Sequence, residues 1–208
     1  ANTGVERTVV FEYKLNGTWK KIAERSQEKL PSVGELYGGG VVYWVSGSDF
    51  RVVAMDMASR TKWAASKDYV LGSGAQDPSA RNGADVWQIA KQYSDNMTDG
   101  ASGTFATDFP AFSYCYEKTD GGVSKGTWYL PSKQELVDLY RVRGSNSNVE
   151  SVITASGGTA FSTLSSWSAT ENSNNTSKTF HVLVQNGYTT SIPYDKTTST
   201  SVRCIRGN

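Results

Sequence analysis

The spacing of hydrophobic and polar positions changes several times along the chain, and each change marks an element. Thr8-Val9-Val10-Phe11-Glu12-Tyr13-Lys14 alternates in part, Leu15-Asn16-Gly17 turns, and Thr18-Trp19-Lys20-Lys21-Ile22 returns, so residues 8–22 read as a β-hairpin. Residues 23–35 are charged and then carry Pro31 and Gly34, which marks a connection. A second hairpin is expected from residues 41–45 and 50–54, around Ser46-Gly47-Ser48-Asp49. Residues 71–84 are rich in Gly, Ser, Ala and Asn and read as loop. The period then becomes helical: Asp85 is placed to cap a helix bearing Val86, Ile89, Ala90 and Tyr93, and residues 99–103 end it. A second helix is expected over about 109–116, with Pro110 in its first turn.

The densest signal is Trp128-Tyr129-Leu130-Pro131-Ser132-Lys133-Gln134-Glu135-Leu136. Pro131 has no amide hydrogen and suits a strand end or the approach to a helix. Ser132 and Glu135 have the spacing of a capping box, and Leu136, Leu139 and Tyr140 give the helix that follows an apolar face. Residues 143–178 are the least regular part, with order expected only at 149–155 and 167–170. Beyond them, 179–185 and 188–193 flank Asn186-Gly187, a strong hairpin signal. Residues 201–205 read as the last strand, central in its sheet if Cys204 bridges to a helix. The fold class expected is α+β, an antiparallel sheet with two to three helices and a long irregular loop region. Residues 1–35 form the N-terminal hairpin and connection, and 36–208 a single domain.

Composition narrows the functional classes. Lys and Arg number 21 and Asp and Glu 20, so there is no basic excess of the kind a nucleic-acid binder shows. No apolar run reaches membrane-spanning length, and a start at Ala1 rather than Met is expected of a mature or trimmed form. His181 is the single histidine and alternates on its strand with Phe180, Val182 and Val184, as a half-exposed strand residue would. A Ser-His-Asp or Cys-His arrangement would rest on that one side chain. Gly38-Gly39-Gly40 and the Gly72/Gly74 pair lack the residues of a phosphate loop and read as tight turns. Two cysteines and one histidine cannot supply four zinc ligands. On the residues alone, Cys115 and Cys204 are either two separate buried thiols or one disulfide.

The order of motifs resembles the Lcl C-terminal domain family of the C-type-lectin-like group. The residues that carry the likeness are Gly39-Gly40-Val41-Val42-Tyr43-Trp44-Val45, the helix with Cys115, the 128–136 segment, Trp167-Ser168-Ala169-Thr170-Glu171, and Ser201-Val202-Arg203-Cys204-Ile205-Arg206. The resemblance spans roughly residues 36 to 206 and implies a C-type-lectin-like fold. It also implies that Cys115 and Cys204 sit side by side as a disulfide, and that the chain has a non-catalytic role at the surface of a Gram-negative bacterium, within a longer surface or pilus protein. Formylglycine-generating enzymes share that fold. Their Arg-Leu-Pro-(Ser/Thr)-x-x-Glu-Trp helix start is matched only in part, since Leu136 follows Glu135, and their Arg-Gly-Gly-Ser-Trp run is missing. The calcium triplets of sugar-binding relatives are missing too. Trp167 is followed by Ser168-Ala169 rather than Asn-Asp, and Gln76-Asp77-Pro78 has the wrong order and place, so no metal or cofactor is expected.

What remains is a binding module whose partner is a glycan or a protein on a surface. The candidate ligand-facing residues are Asn172, Asn174, Asn175, Tyr194, Asp195 and Lys196, on the irregular segment and the loop after residue 193. The alternative role is assembly, with the 8–22 hairpin joining a neighbouring domain or subunit by strand addition.

Overall fold

The structure, a computed structural model, describes residues 7–27, 29–97, 103–143, 148–161, 165–185 and 188–207. The fold is mixed α+β, with eleven strands in three sheets and five α-helices among the described residues. β1 (Arg7–Leu15) and β2 (Thr18–Gln27) form a two-stranded antiparallel ribbon that turns at Asn16-Gly17, both in the left-handed region. This is the geometry a tight hairpin demands and the reason for that residue pair.

A four-stranded sheet has the order β11-β5-β4-β3, from Ile205–Gly207, Asp49–Ala54, Gly40–Ser46 and Leu36–Tyr37. β4 and β5 read as near-continuous apolar runs because both faces of their sheet are covered. Val42, Val52 and Ala54 enter a core with Trp63, Phe109, Phe112, Trp128 and Trp167. Val41, Tyr43 and Val53 enter a second core with Leu136, Leu139, Tyr140, Ile153 and Phe161. The first core is roofed by α1 (Gly83–Asp95) and α3 (Pro110–Tyr116), the second by α4 (Lys133–Arg143) and α5 (Val149–Ala155). The remaining helix, α2, is the single turn Phe105–Asp108.

The other sheet has the order β6-β10-β7-β8-β9, from Ala58–Lys62, Ser199–Val202, Ser166–Glu171, Lys178–Gln185 and Tyr188–Asp195. Its pairings are antiparallel apart from one parallel step, Ser201 to Ser166. The β8–β9 pairing is regular from Lys178–Asp195 to Gln185–Tyr188, while the Asn186-Gly187 turn lies outside the described residues.

Several expectations are corrected. Among the described residues the helices number five, not two to three: α2 has four residues, too few to show a period, with the Thr107 hydroxyl bonded to the Thr104 backbone, and α5 falls on the 149–155 stretch, expected to be ordered but not assigned to a helix. The segment at 99–103 expected to end α1 lies almost wholly outside the described residues. α1 starts at Gly83, with Asp85 inside its first turn rather than at the cap. The reason is tertiary: the Gly83 amide donates to Glu135 Oε2 at 3.2 Å, so a carboxylate from another helix does the work of a local cap. The last strand is split. Residues 199–202 lie centrally in the five-stranded sheet, while 205–207 form an edge strand of the other.

At the split, Cys204 is joined to Cys115 of α3 by a disulfide with Cα atoms 5.4 Å apart, both residues wholly buried. The bond closes a loop with a sequence separation of 89. In the chain-entropy account such a closure contributes about 4–5 kcal/mol. Cys204→Ser should therefore lose several kcal/mol in denaturant unfolding while the far-UV circular dichroism of the folded variant stays that of the parent; a loss below about 1 kcal/mol would show that the crosslink is not limiting.

Candidate functional site

The residues singled out as ligand-facing gather at one end of the β7–β8–β9 sheet, around a buried ion pair. Glu171, the last residue of β7, and Lys196, just beyond β9, are both fully enclosed and in direct contact. Glu171 also accepts the Leu71 amide at 3.1 Å and the Gln76 side-chain amide at 2.7 Å. The Lys196 ammonium donates to the Tyr69 carbonyl at 2.6 Å and lies 4.8 Å from the centre of the Trp63 ring. Burial pushes the ammonium below its ordinary value, and the Glu171 carboxylate opposes that shift. The Lys196 carbonyl in turn accepts the Trp63 and Ala64 amides. The pair thus ties the 63–76 segment to both loops, and removing one partner would leave an uncompensated buried charge.

Lys196, expected on the ligand-facing surface, is therefore an interior residue, and a ligand at the surface does not reach its ammonium. Asn172 is also buried, and its Oδ1 accepts the Asn174 amide at 3.0 Å. Asn174 and Asn175 are exposed. Asn175 Oδ1 accepts from both the amide and the hydroxyl of Ser177, and the Asp195 carboxylate from both the amide and the hydroxyl of Thr197. Those bonds to Thr197 hold the Asp195 carboxyl below the usual carboxylate range. These side chains close turns of the kind Asn and Asp favour, so much of their acceptor capacity is already engaged. Tyr194 is 42% exposed, and its ring stacks on His181 with centroids 4.6 Å apart.

His181 departs from the half-exposed residue expected. It is buried, and among the described residues neither ring nitrogen has a hydrogen-bond partner. The Tyr194 ring, with Trp167 at 6.2 Å, covers the imidazole from outside, a tertiary contact that strand alternation does not reveal. Burial pushes its pKa below the ordinary value.

A second buried carboxylate organises the opposite side. Glu135 Oε2 accepts the Ser132 amide at 2.8 Å and the Gly83 amide, and Oε1 accepts the Tyr129 hydroxyl at 3.2 Å. The Arg51 guanidinium stands 3.1 Å from Oε1. The capping box is present, with the Glu135 amide donating to Ser132 Oγ at 3.4 Å, and it is one part of a wider junction. At Gly83 a Cβ would meet the Leu130 carbonyl at 2.5 Å and Glu135 Oε2 at 2.8 Å, so the junction requires glycine there. Among the described residues no three of His, Cys, Asp or Glu come together to hold a metal ion.

Sequence reasoning missed an open cleft of about 690 Å³ between α1 and the 66–71 segment. Its lining includes Asp68, Tyr69, Ile89, Gln92, Tyr93 and Asn96. Positions 89, 92, 93 and 96 share one stripe of the helix, and a face mixing aromatic, aliphatic and amide side chains was the available signal.

No family model and no curated protein matches the chain. Among solved structures, it is similar to a fimbrial protein from Bacteroides ovatus ATCC 8483, with a TM-score of 0.65 and 17% identity. The match covers 99% of this chain and 57% of the fimbrial chain, so this chain spans little more than half of that protein's length. At that identity the likeness shows a shared fold.

The two buried centres have measurable consequences. Ser132→Ala should cost on the order of 1 kcal/mol in stability, while Glu135→Ala, which strips partners from Gly83, Tyr129 and Arg51 at once, should cost roughly 3–5 kcal/mol. Equal losses in chemical denaturation would count against a shared junction. His181 gives a pH effect of defined sign. Above its ordinary value of ~6.5 the imidazole is neutral in both states and contributes nothing to pH dependence. As pH falls below that, the unfolded state takes up the proton first and stability drops until the lowered folded value is passed. Between pH 7 and 5 the melting temperature of the parent should therefore fall more than that of His181→Phe; parallel curves would refute the assignment.

Proposed function

We propose that the chain is a non-catalytic, C-type-lectin-like module of a bacterial surface or pilus protein, joined to a neighbouring domain or subunit through the β1–β2 ribbon. The observation that carries this reading is the ribbon itself. Its strands pair only with each other among the described residues, so the outer edge of each is unpaired. By strand alternation Val9, Phe11, Tyr13 and Leu15 share one face of β1, and they are 53%, 52%, 44% and 51% exposed. Trp19 and Ile22 on β2 are 62% and 66% exposed. A lone hairpin is marginal in water, and a contiguous apolar stripe on a free surface marks an interaction site. Its open edges offer main-chain hydrogen bonds to an added strand. The likeness to a fimbrial fold and a buried disulfide, which suits an oxidising compartment, support an extracytoplasmic place in a Gram-negative cell envelope. The partner is a β-sheet of the same surface assembly.

A second reading, recognition of a glycan or surface partner at the loop end, draws on the half-exposed Tyr194 ring beside Asn174, Asn175 and Asp195. An aromatic face next to amides suits sugar rings.

The assembly reading is tested by replacing the ribbon's apolar stripe with Val9→Lys, Phe11→Lys and Leu15→Lys together. The isolated chain should keep its melting temperature within about 2 °C, because none of the three side chains is buried in the body. Incorporation of the full-length protein into its surface structure should be lost. Normal incorporation of this variant would refute the role of the ribbon.

A further inference from the structure

The cleft along α1 lies outside the loop residues and the ribbon, and its side chains have a distinct chemistry. Tyr69 and Tyr93 stand with ring centroids 5.7 Å apart, and both rest on Phe109, at 5.5 and 5.8 Å. The buried Glu171–Lys196 pair reaches this wall directly, since the Lys196 ammonium holds the Tyr69 carbonyl. The aromatic floor is thus fixed by packing beneath it and by an ion pair behind it. Above it, Gln92 and Asn96 are exposed, and their side-chain amides make no hydrogen bond among the described residues. Asp68 completes the polar rim, its Oδ2 engaged, among the described residues, by Ser66 Oγ at 3.4 Å. An adjoining hollow of about 440 Å³ shares Gln92 and Asn96 and continues to Trp87, whose ring leans on Tyr116 at 5.0 Å. Two aromatic walls therefore flank one pair of unengaged amides.

We propose that this surface is a binding site for a neutral oligosaccharide, with one sugar against Tyr69 and Tyr93, a second toward Trp87, and Gln92 and Asn96 between them. Each amide both donates and accepts, so it can hold adjacent hydroxyls of a sugar as a carboxylate or ammonium alone cannot. The aromatic faces cover the apolar C–H side of the rings. The cleft's volume falls within the range of about 300–1,000 Å³ usual for small-molecule sites. Charge selects against sulfated or acidic sugars: Asp68 stands on the rim, and Lys91, the cation of the adjoining hollow, is paired with Asp95 at 2.7 Å. The site is independent of the ribbon and of Tyr194.

The test is an array of neutral and sulfated oligosaccharides probed with the intact chain, followed by titration of the best neutral hit. Gln92→Ala/Asn96→Ala alters two exposed side chains and should leave the melting temperature unchanged. It should weaken neutral-sugar binding about tenfold or more, the equivalent of one to two lost hydrogen bonds. The hit should quench tryptophan fluorescence, an effect lost in Trp87→Phe. Binding should be insensitive to salt and unaffected by the Asn174→Ala/Asn175→Ala/Tyr194→Ala variant. Retention of sulfated sugars alone, an empty array, or a hit that depends on Tyr194 and not on Gln92 and Asn96 would overturn the proposal.

Discussion

The structure depends on the place where the chain crosses from one sheet to the other at Arg203 and Cys204. Val202 ends a central strand of the five-stranded sheet, and Ile205 begins an edge strand of the four-stranded one. Between them Cys204 is bonded to α3, and its carbonyl accepts the Ala54 amide at 3.0 Å. Arg203, wholly buried, turns its guanidinium the other way, onto the carbonyls of Ala54, Met55, Thr159 and Ala160 at 2.7–3.2 Å. No carboxylate pairs with it among the described residues, and burial pushes its pKa down. Four carbonyl dipoles and the Phe161 ring at 4.8 Å stand in for a counter-ion. Three residues on, Arg206 donates to the Gly38 carbonyl at 3.1 Å and lies over Trp128 and Tyr37. Six residues at the C-terminal end thus pin both sheets, α3 and the start of the domain, which is why long stretches between can be irregular without loosening the body.

The same device recurs at Glu135 and Glu171. In each case one enclosed carboxylate accepts a backbone amide from a segment distant in sequence, Gly83 for Glu135 and Leu71 for Glu171, and is balanced by a cation, Arg51 in one and Lys196 in the other. Such pairs add little net stability over an apolar core, but they tolerate few alternative arrangements, because any other packing strands a charge. They specify where the 63–76 segment and the start of α1 must lie. Trp63 and Trp167 reinforce that choice, each donating its indole hydrogen to a backbone carbonyl across the interface, at 2.9 and 2.8 Å.

What could be read from sequence follows from this. The hairpins at 8–22 and 41–54, the helix from 110 and the Ser132–Glu135 start are local, each carrying its own turn or cap chemistry, and they appear where expected. The resemblance brought Cys115 and Cys204 together, a step the spacing alone left open. The failures share one cause. Asp85 looked like a cap because Gly83 is stabilised by a carboxylate 52 residues away. Lys196 looked like a surface lysine because its partner lies on another strand. His181 looked half-exposed because the ring that covers it, Tyr194, comes from the next strand. The cleft on α1 was hidden for the same reason, since Tyr69 is brought to the helix by Lys196.

The contrast between body and ribbon is the last physical clue. In the body Trp63, Trp128 and Trp167 are fully buried, and Glu135, Glu171 and Arg203 each meet several polar partners. In the ribbon the apolar side chains are exposed and, among the described residues, both strand edges are open and only the cross-strand contact of Lys14 with Trp19 shields an aromatic ring. Natural proteins blunt free edges with bulges, proline or charged side chains, lysine above all, and the ribbon carries Lys14, Lys20 and Lys21. The one irregularity here, between Phe11 and Glu12, leaves the stripe on β1 continuous. The exposed stripe on β1 and the edges left unpaired among the described residues are the physical grounds on which the proposed assembly role rests.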